Sequence, residues 1–187
     1  MNKNNCVADR LGYSVFKITL PDNVTKNTAA IIKSKLVSVY PGPLEDKAIR
    51  IIRNGSDRSS RIVLVSTKEQ FRKNHNLICS PIVTMYSLAG KSEECLFIAD
   101  RFIEYITIKD GSFISSSVRA RSEYLPIDEQ ILPLPAGITA VISGDDDKAV
   151  LQHLLNDLPV TVFADIPEGI KRKSRLSLFA PEHKKIN

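Results

Sequence analysis

The sequence predicts a mixed α/β fold with sheets flanked by helices, and three observations predict it. Short apolar strands alternate with segments of helical periodicity in 13–89 and again in 138–163, the pattern of a sheet covered by helices. Three strand-like runs at 95–99, 102–108 and 113–119 follow one another without a helix between them, with Asp110-Gly111 as a turn, so the sheet is not all parallel. The stretch Ala89-Gly90-Lys91-Ser92 then separates two halves. The expected organisation is a first α/β lobe over 1–90, a second over 91–166, and a basic tail over 167–187.

Residues 13–20 alternate loosely and stop at the turn signal Pro21-Asp22-Asn23. From 25 to 40 the positions Thr28, Ile31, Ile32, Lys35 (through its stem), Leu36 and Val39 recur at helical spacing. Thr25 is placed to cap that helix, and Pro41-Gly42-Pro43 ends it. A strand near 48–53, the turn Asn54-Gly55-Ser56-Asp57 and a continuous apolar strand at 62–65 come next. Ser66-Thr67-Lys68-Glu69 reads as a capping box, with reciprocal bonds between Ser66 and Glu69, opening a helix of about ten residues. A short strand at 77–79 precedes Ser80-Pro81, where proline sits in its favoured first helical turn. After the three-strand meander, the proline-bearing stretch 124–136 reads as irregular. A strand at 138–142, a helix at 146–156 and a last strand at 160–163 complete the chain before Pro167.

In a chain of 187 residues the apolar content of 43% argues against extensive disorder. No apolar run approaches the roughly 18–20 residues that span a bilayer, and Met1-Asn2-Lys3-Asn4-Asn5 opens no signal-peptide core. A soluble, cytoplasmic protein is expected. Cys6, Cys79 and Cys95 form no Cys-x-x-Cys pair and have no histidine at metal-site spacing, which points to buried free thiols rather than zinc. The net charge of +5 and the pI near 9.1 are concentrated near the C-terminus. Lys171, Arg172, Lys173, Arg175, Lys184 and Lys185 against Glu168 and Glu182 leave the rest of the chain nearly balanced. This implies a local contact with lipid headgroups, an acidic partner or nucleic acid, not a basic face over the whole fold.

Catalytic signals are sparse. His75, His153 and His183 are scattered, and no Gly-x-Ser-x-Gly elbow occurs. Asp145-Asp146-Asp147 lacks the glycine and distal glutamate of a calcium loop and reads as a helix start favoured by the macrodipole. Ser115-Ser116-Ser117 reads as polar filler on an exposed strand face. No metal or cofactor is expected.

Five segments carry a resemblance. Phe16-Lys17-Ile18-Thr19-Leu20-Pro21 resembles a strand ending in "R-x-x-x-L-P". Val39-Tyr40-Pro41-Gly42-Pro43-Leu44-Glu45-Asp46 resembles a "Y-x-P-F-P-x-E-E" corner. The run 61–71 resembles a strand-helix beginning "V-L-V-V-A", 95–119 a meander "D-I-G…T-x-L-x-V…D-G…R", and 138–163 a strand, Gly-Gly turn, helix and closing strand. Together they resemble the PilM family of type IV pilus assembly and the cytoplasmic domain of the type II secretion L protein. The resemblance implies the actin-like, ribonuclease-H-like ATPase fold, in two lobes. It also implies a reduced or absent N-terminal hairpin, because the family's "D-x-G-x-x-x-x-K" phosphate loop has no counterpart and the chain starts where its second or third strand would lie.

The departures from the family bear on chemistry. The second lobe's "D-x-G" falls on Phe97-Ile98-Ala99, and the Gly-Gly that approaches nucleotide falls on Gly144-Asp145. Phosphoryl transfer needs backbone amides close to phosphate and a carboxylate to position Mg²⁺ or water. Phe97 offers no ligand, Ala99 adds a Cβ where glycine lets the chain approach, and Asp145 sets a negative charge beside an anion. Asp100 is out of register by three residues. The resemblance therefore implies a degenerate nucleotide site and a non-catalytic scaffold at the inner-membrane platform of a pilus or secretion machine. Such a scaffold would dock an assembly ATPase or a membrane-anchored subunit at the cytoplasmic face of the membrane. Lys171, Arg172, Lys173 and Arg175, followed by the apolar Leu176-Ser177-Leu178-Phe179-Ala180, are the candidate contact with a partner or the membrane. The resemblance leaves dimerisation open. Two alternatives stand beside it: an actin-like nucleotide-binding protein or ATPase using unorthodox residues, and a nucleic-acid binder acting through the tail.

Overall fold

In a computed structural model, the structure describes residues 10–22, 27–73, 79–88, 93–131, 137–142 and 160–162. They divide into two compact units, one formed by 10–11 with the described residues of 77–166, the other by those of 12–76. The division falls before Cys79, so the helix opened by Ser80-Pro81 belongs with the meander rather than with the residues before it.

In the unit of 12–76, three strands form an antiparallel sheet in the order β1 (Ser14–Thr19), β3 (Asp57–Thr67), β2 (Lys47–Asn54). β3 is central because its apolar run, Ile62 to Val65, is buried on both faces, whereas most of β1 and β2 is only partly buried. Helix α1 (Thr28–Val39) links β1 to β2 and inserts Ile32 and Leu36, one turn apart, among Ile18, Leu20, Val63 and Val65. Phe16 meets Tyr40 edge to face at 6.0 Å on the rim of that core. The predicted cap Thr25 lies outside the described residues; the position before the helix is Asn27, with φ of 58° and no side-chain cap bond. Val39, expected on the packed face, is about half exposed, because the helix stops at Tyr40, whose extended backbone is the conformation favoured before proline.

The expected capping box is displaced by one residue. The Ser66 hydroxyl donates to the Gly12 carbonyl and is unavailable to the helix. Thr67 Oγ1 instead accepts from the Gln70 N–H at 3.1 Å and caps α2 (Lys68–Lys73). On that helix the Arg50 guanidinium lies 4.6 Å from the Phe71 ring centroid and donates to the Phe71 carbonyl at 2.8 Å, tying α2 to β2.

The unit of 77–166 is built on a five-stranded sheet in the order β6 (Ser112–Ala120), β5 (Phe102–Lys109), β4 (Glu93–Ile98), β7 (Thr139–Ile142), β8 (Val160–Val162). β4, β5 and β6 are the predicted antiparallel meander, while β7 and β8 run parallel to β4. Asp110 and Gly111, at φ of 50° and 71°, form the two-residue turn between β5 and β6, where both central residues need positive φ. One face of the sheet presents Leu96, Ile98, Ile103 and Ala140 to Ile127 and Ile131 of a short helix, α4 (Ile127–Ile131). That helix lies inside the stretch read as irregular; at five residues it is too short to show a periodicity. The other face carries Cys95, Phe97, Phe102, Ile106, Ile108 and Phe113, all buried, with α3 (Ser80–Ser87) lying along β4, β5 and β6.

Cys79 and Cys95 are free and buried, as the sequence suggested, and burial pushes each thiol up to about 12. Both are expected to resist a thiol reagent at pH 8 in the native chain and to react fully in denaturant, which peptide mapping after labelling reads directly.

Candidate functional site

Two of the positions that the resemblance assigns to a nucleotide, Phe97 and Ala99, lie where β4 turns into β5. Phe97 is fully buried and stacks on Phe102, with centroids 5.8 Å apart and rings 10° from parallel. The Ala99 N–H donates to the Phe102 carbonyl at 3.0 Å, closing a four-residue turn, so the amide a glycine loop would offer to phosphate is already engaged. The Ala99 carbonyl accepts from Arg121 Nη1 at 3.5 Å, and the Arg121 N–H donates to the Arg101 carbonyl at 2.9 Å. Asp100 is exposed at the tip of that turn. Gly144, Asp145, Lys171, Arg172, Lys173 and Arg175 lie outside the described residues.

Directly opposite Phe97 on β5 stands Glu104, a buried carboxylate that the sequence reading passed over. Its Oε1 accepts from Arg10 Nε at 2.7 Å, its Oε2 accepts from the Ser80 hydroxyl, and Arg10 Nη2 donates to Ser116 Oγ at 3.4 Å. A buried charge persists only when paired and hydrogen-bonded, and this one is held on both oxygens. Ser116 is therefore engaged inside the unit, a correction to its reading as filler. Ser115 and Ser117, in the opposite phase, are exposed. A sequence signal for Glu104 existed: it shares the strand phase of Phe102, Ile106 and Ile108. Its partner, 94 residues away, left none.

Gln130 of α4 accepts from the Ser122 N–H at 2.7 Å and donates to the Leu125 carbonyl at 2.7 Å, fixing a loop on which Tyr124 is 94% exposed and Leu125 half exposed. In the other unit, Asp57 organises the hairpin between β2 and β3. Its Oδ1 accepts from the Ser59 N–H at 2.9 Å and the Ser59 hydroxyl at 2.6 Å, and its Oδ2 accepts from the Ser60 hydroxyl at 2.6 Å, with Lys17 Nζ at 3.6 Å. The serine hydroxyls, with the Ser59 amide and Lys17, hold this carboxyl at about 2, below its ordinary 3.8. A depressed carboxylate stabilises the folded state above its unfolded pKa and loses that contribution as pH falls through the folded one. Asp57→Asn is expected to flatten the fall in melting temperature between about pH 4 and pH 2, measured by circular dichroism against the native chain.

Among the described residues, no helix is long and apolar enough to cross a membrane, and no group of three or more His, Cys, Asp or Glu is placed to hold a metal ion.

No protein-family model matches the chain, and no curated protein matches its sequence. Solved structures do match. A chain of a "PilM-PilN type IV pilus biogenesis complex" aligns over 89% of this chain and 74% of its own length, at 11% identity and a TM-score of 0.52. A Bacteroides thetaiotaomicron protein described as having an actin-like ATPase fold and unknown function aligns over 86% of this chain and 68% of its own length, at 12% identity and a TM-score of 0.47. At such identities the likeness is one of fold. The chain has a mixed α/β fold that resembles the fold of the chain from the PilM-PilN complex.

Proposed function

We propose that the chain is a non-catalytic scaffold of a type IV pilus or type II secretion inner-membrane platform, docking an assembly ATPase or the cytoplasmic segment of a membrane-anchored subunit. One observation carries the reading. Where the resemblance calls for a Mg²⁺-positioning carboxylate, β4 places the buried ring of Phe97, and the carboxylate across from it, Glu104, is bound to Arg10 and Ser80. A side chain locked into an internal ion pair stabilises the fold and is poorly placed to organise Mg²⁺ or water in phosphoryl transfer. The fold likeness to PilM supports the choice of machine by analogy.

The test has two arms. Calorimetric titration of the whole chain with ATP, with and without Mg²⁺, is expected to give no saturable heat, and no phosphate release is expected. Titration with the cytoplasmic segments of pilus or secretion subunits encoded beside its gene is expected to give a saturable complex of fixed stoichiometry. Micromolar ATP binding with turnover would replace the scaffold with the nucleotide-binding alternative. Failure of every such segment to bind would end the scaffold reading.

A further inference from the structure

The β2–β3 hairpin gathers positive charge in an arrangement that the fold alone does not favour. Arg53 and Arg61 are directly opposite each other across the two strands. Opposed residues on antiparallel strands share a face with their Cβ atoms about 5 Å apart, and like charges there repel. Beyond this pair the register skips. Asn54 pairs next with Asp57, leaving Arg58, Ser59 and Ser60 bulged out of the β2 ladder. The bulge is rigidly built: buried Asn54 Nδ2 donates to buried Ser60 Oγ at 2.8 Å, and Asp57 binds Ser59 and Ser60. Arg61 Nη1 donates to the carbonyls of Arg58 and Ser60 at 2.9 and 2.8 Å, so one guanidinium braces the backbone that carries another.

These residues line an open groove of about 620 Å³, bounded by Arg53, Gly55, Ser56, Asp57, Arg58 and Arg61. Arg53 and Arg58 are exposed and form no ion pair among the described residues. Asp57, the one carboxylate among these residues, binds its own loop's serines through both oxygens and lies 3.6 Å from Lys17 Nζ. Three arginines thus line one space of small-ligand size. The guanidinium fork matches the tetrahedral oxygens of phosphate, and a bound anion would relieve the repulsion between Arg53 and Arg61.

We propose that this hairpin groove is a phosphate-binding site, formed by Arg53, Arg58 and Arg61, that takes the phosphoryl group of a phosphorylated small molecule or of a lipid headgroup. None of these arginines is among the residues that the resemblance assigned to a nucleotide or to a partner contact.

Pyrophosphate is the probe, titrated calorimetrically into the whole chain at low ionic strength, with sedimentation on phosphatidylglycerol vesicles as the second arm. Saturable pyrophosphate binding is expected, weakened roughly tenfold or more in Arg53→Gln/Arg58→Gln, because each charge-assisted contact is individually strong. Both positions are exposed, so circular dichroism of the variant is expected to match the native chain. Vesicle binding competed away by pyrophosphate and weakened in the variant would identify the source as a headgroup. Pyrophosphate binding without vesicle binding would identify a free phosphorylated compound. The proposal fails if the native chain binds neither probe, or if the variant binds both as tightly as the native chain does.

Discussion

Replacing Glu104 with alanine is expected to destabilise the chain by about 3–5 kcal/mol, read as a lowered denaturation midpoint in guanidinium with an unchanged slope. The residue is fully buried at the middle of β5 and has one charged and one hydroxyl partner. Truncation leaves the Arg10 guanidinium buried without its counter-charge and the Ser80 hydroxyl without its acceptor. The size of the effect is therefore the penalty for a buried guanidinium that has lost its carboxylate more than the worth of the pair. The control is Arg10→Met/Glu104→Leu, which removes both charges at similar volume. It is expected to recover more than half of the loss, since a buried pair gains little over a well-packed apolar replacement. A Glu104→Ala loss below about 1 kcal/mol would mean that Arg10 reaches water in solution and that the network is not part of the core.

Phe97→Asp is the second substitution with a large expected effect, and it separates the two readings of β4. If the position were a lapsed nucleotide ligand in an accessible cleft, restoring the carboxylate would leave stability near that of the native chain and raise Mg²⁺-dependent ATP binding. The geometry argues otherwise. Phe97 is fully buried, stacked on Phe102 and directly across from Glu104. Loss of the ring alone, as in Phe97→Ala, is expected to cost about 3–5 kcal/mol. The aspartate adds the desolvation of a charge and its repulsion from a second carboxylate on the neighbouring strand. The expected outcome is a greater loss of stability than in Phe97→Ala, or failure to accumulate as folded protein, with no gain in nucleotide binding. Denaturation of both variants, run beside an ATP titration, decides the matter.

What the sequence made legible was local. The Asp110-Gly111 turn was readable because few residue pairs accept positive φ at both central positions. The α1 contact was readable because Ile32 and Leu36 repeat at helical spacing. The helix cap was missed by one residue for a reason that sequence could not supply. Ser66 and Thr67 both offer a hydroxyl, and only the folded position of the Gly12 carbonyl draws Ser66 away from the helix. The bulge at 58–60 was equally hidden, since it arises from skipped pairing between β2 and β3. With it were hidden the opposed arginines, visible in the sequence only as scattered charges.

By itself the sequence determined the three-strand meander, the helix between β1 and β2, and the helical start at Ser80-Pro81. Periodicity, turn chemistry and residue identity are properties of neighbouring positions. Only the tertiary structure decided that Phe97 is core, that Glu104 across from it is neutralised by Arg10, and that Arg53 meets Arg61. These facts depend on contacts between chain segments far apart in sequence or on strand register, which local patterns do not encode.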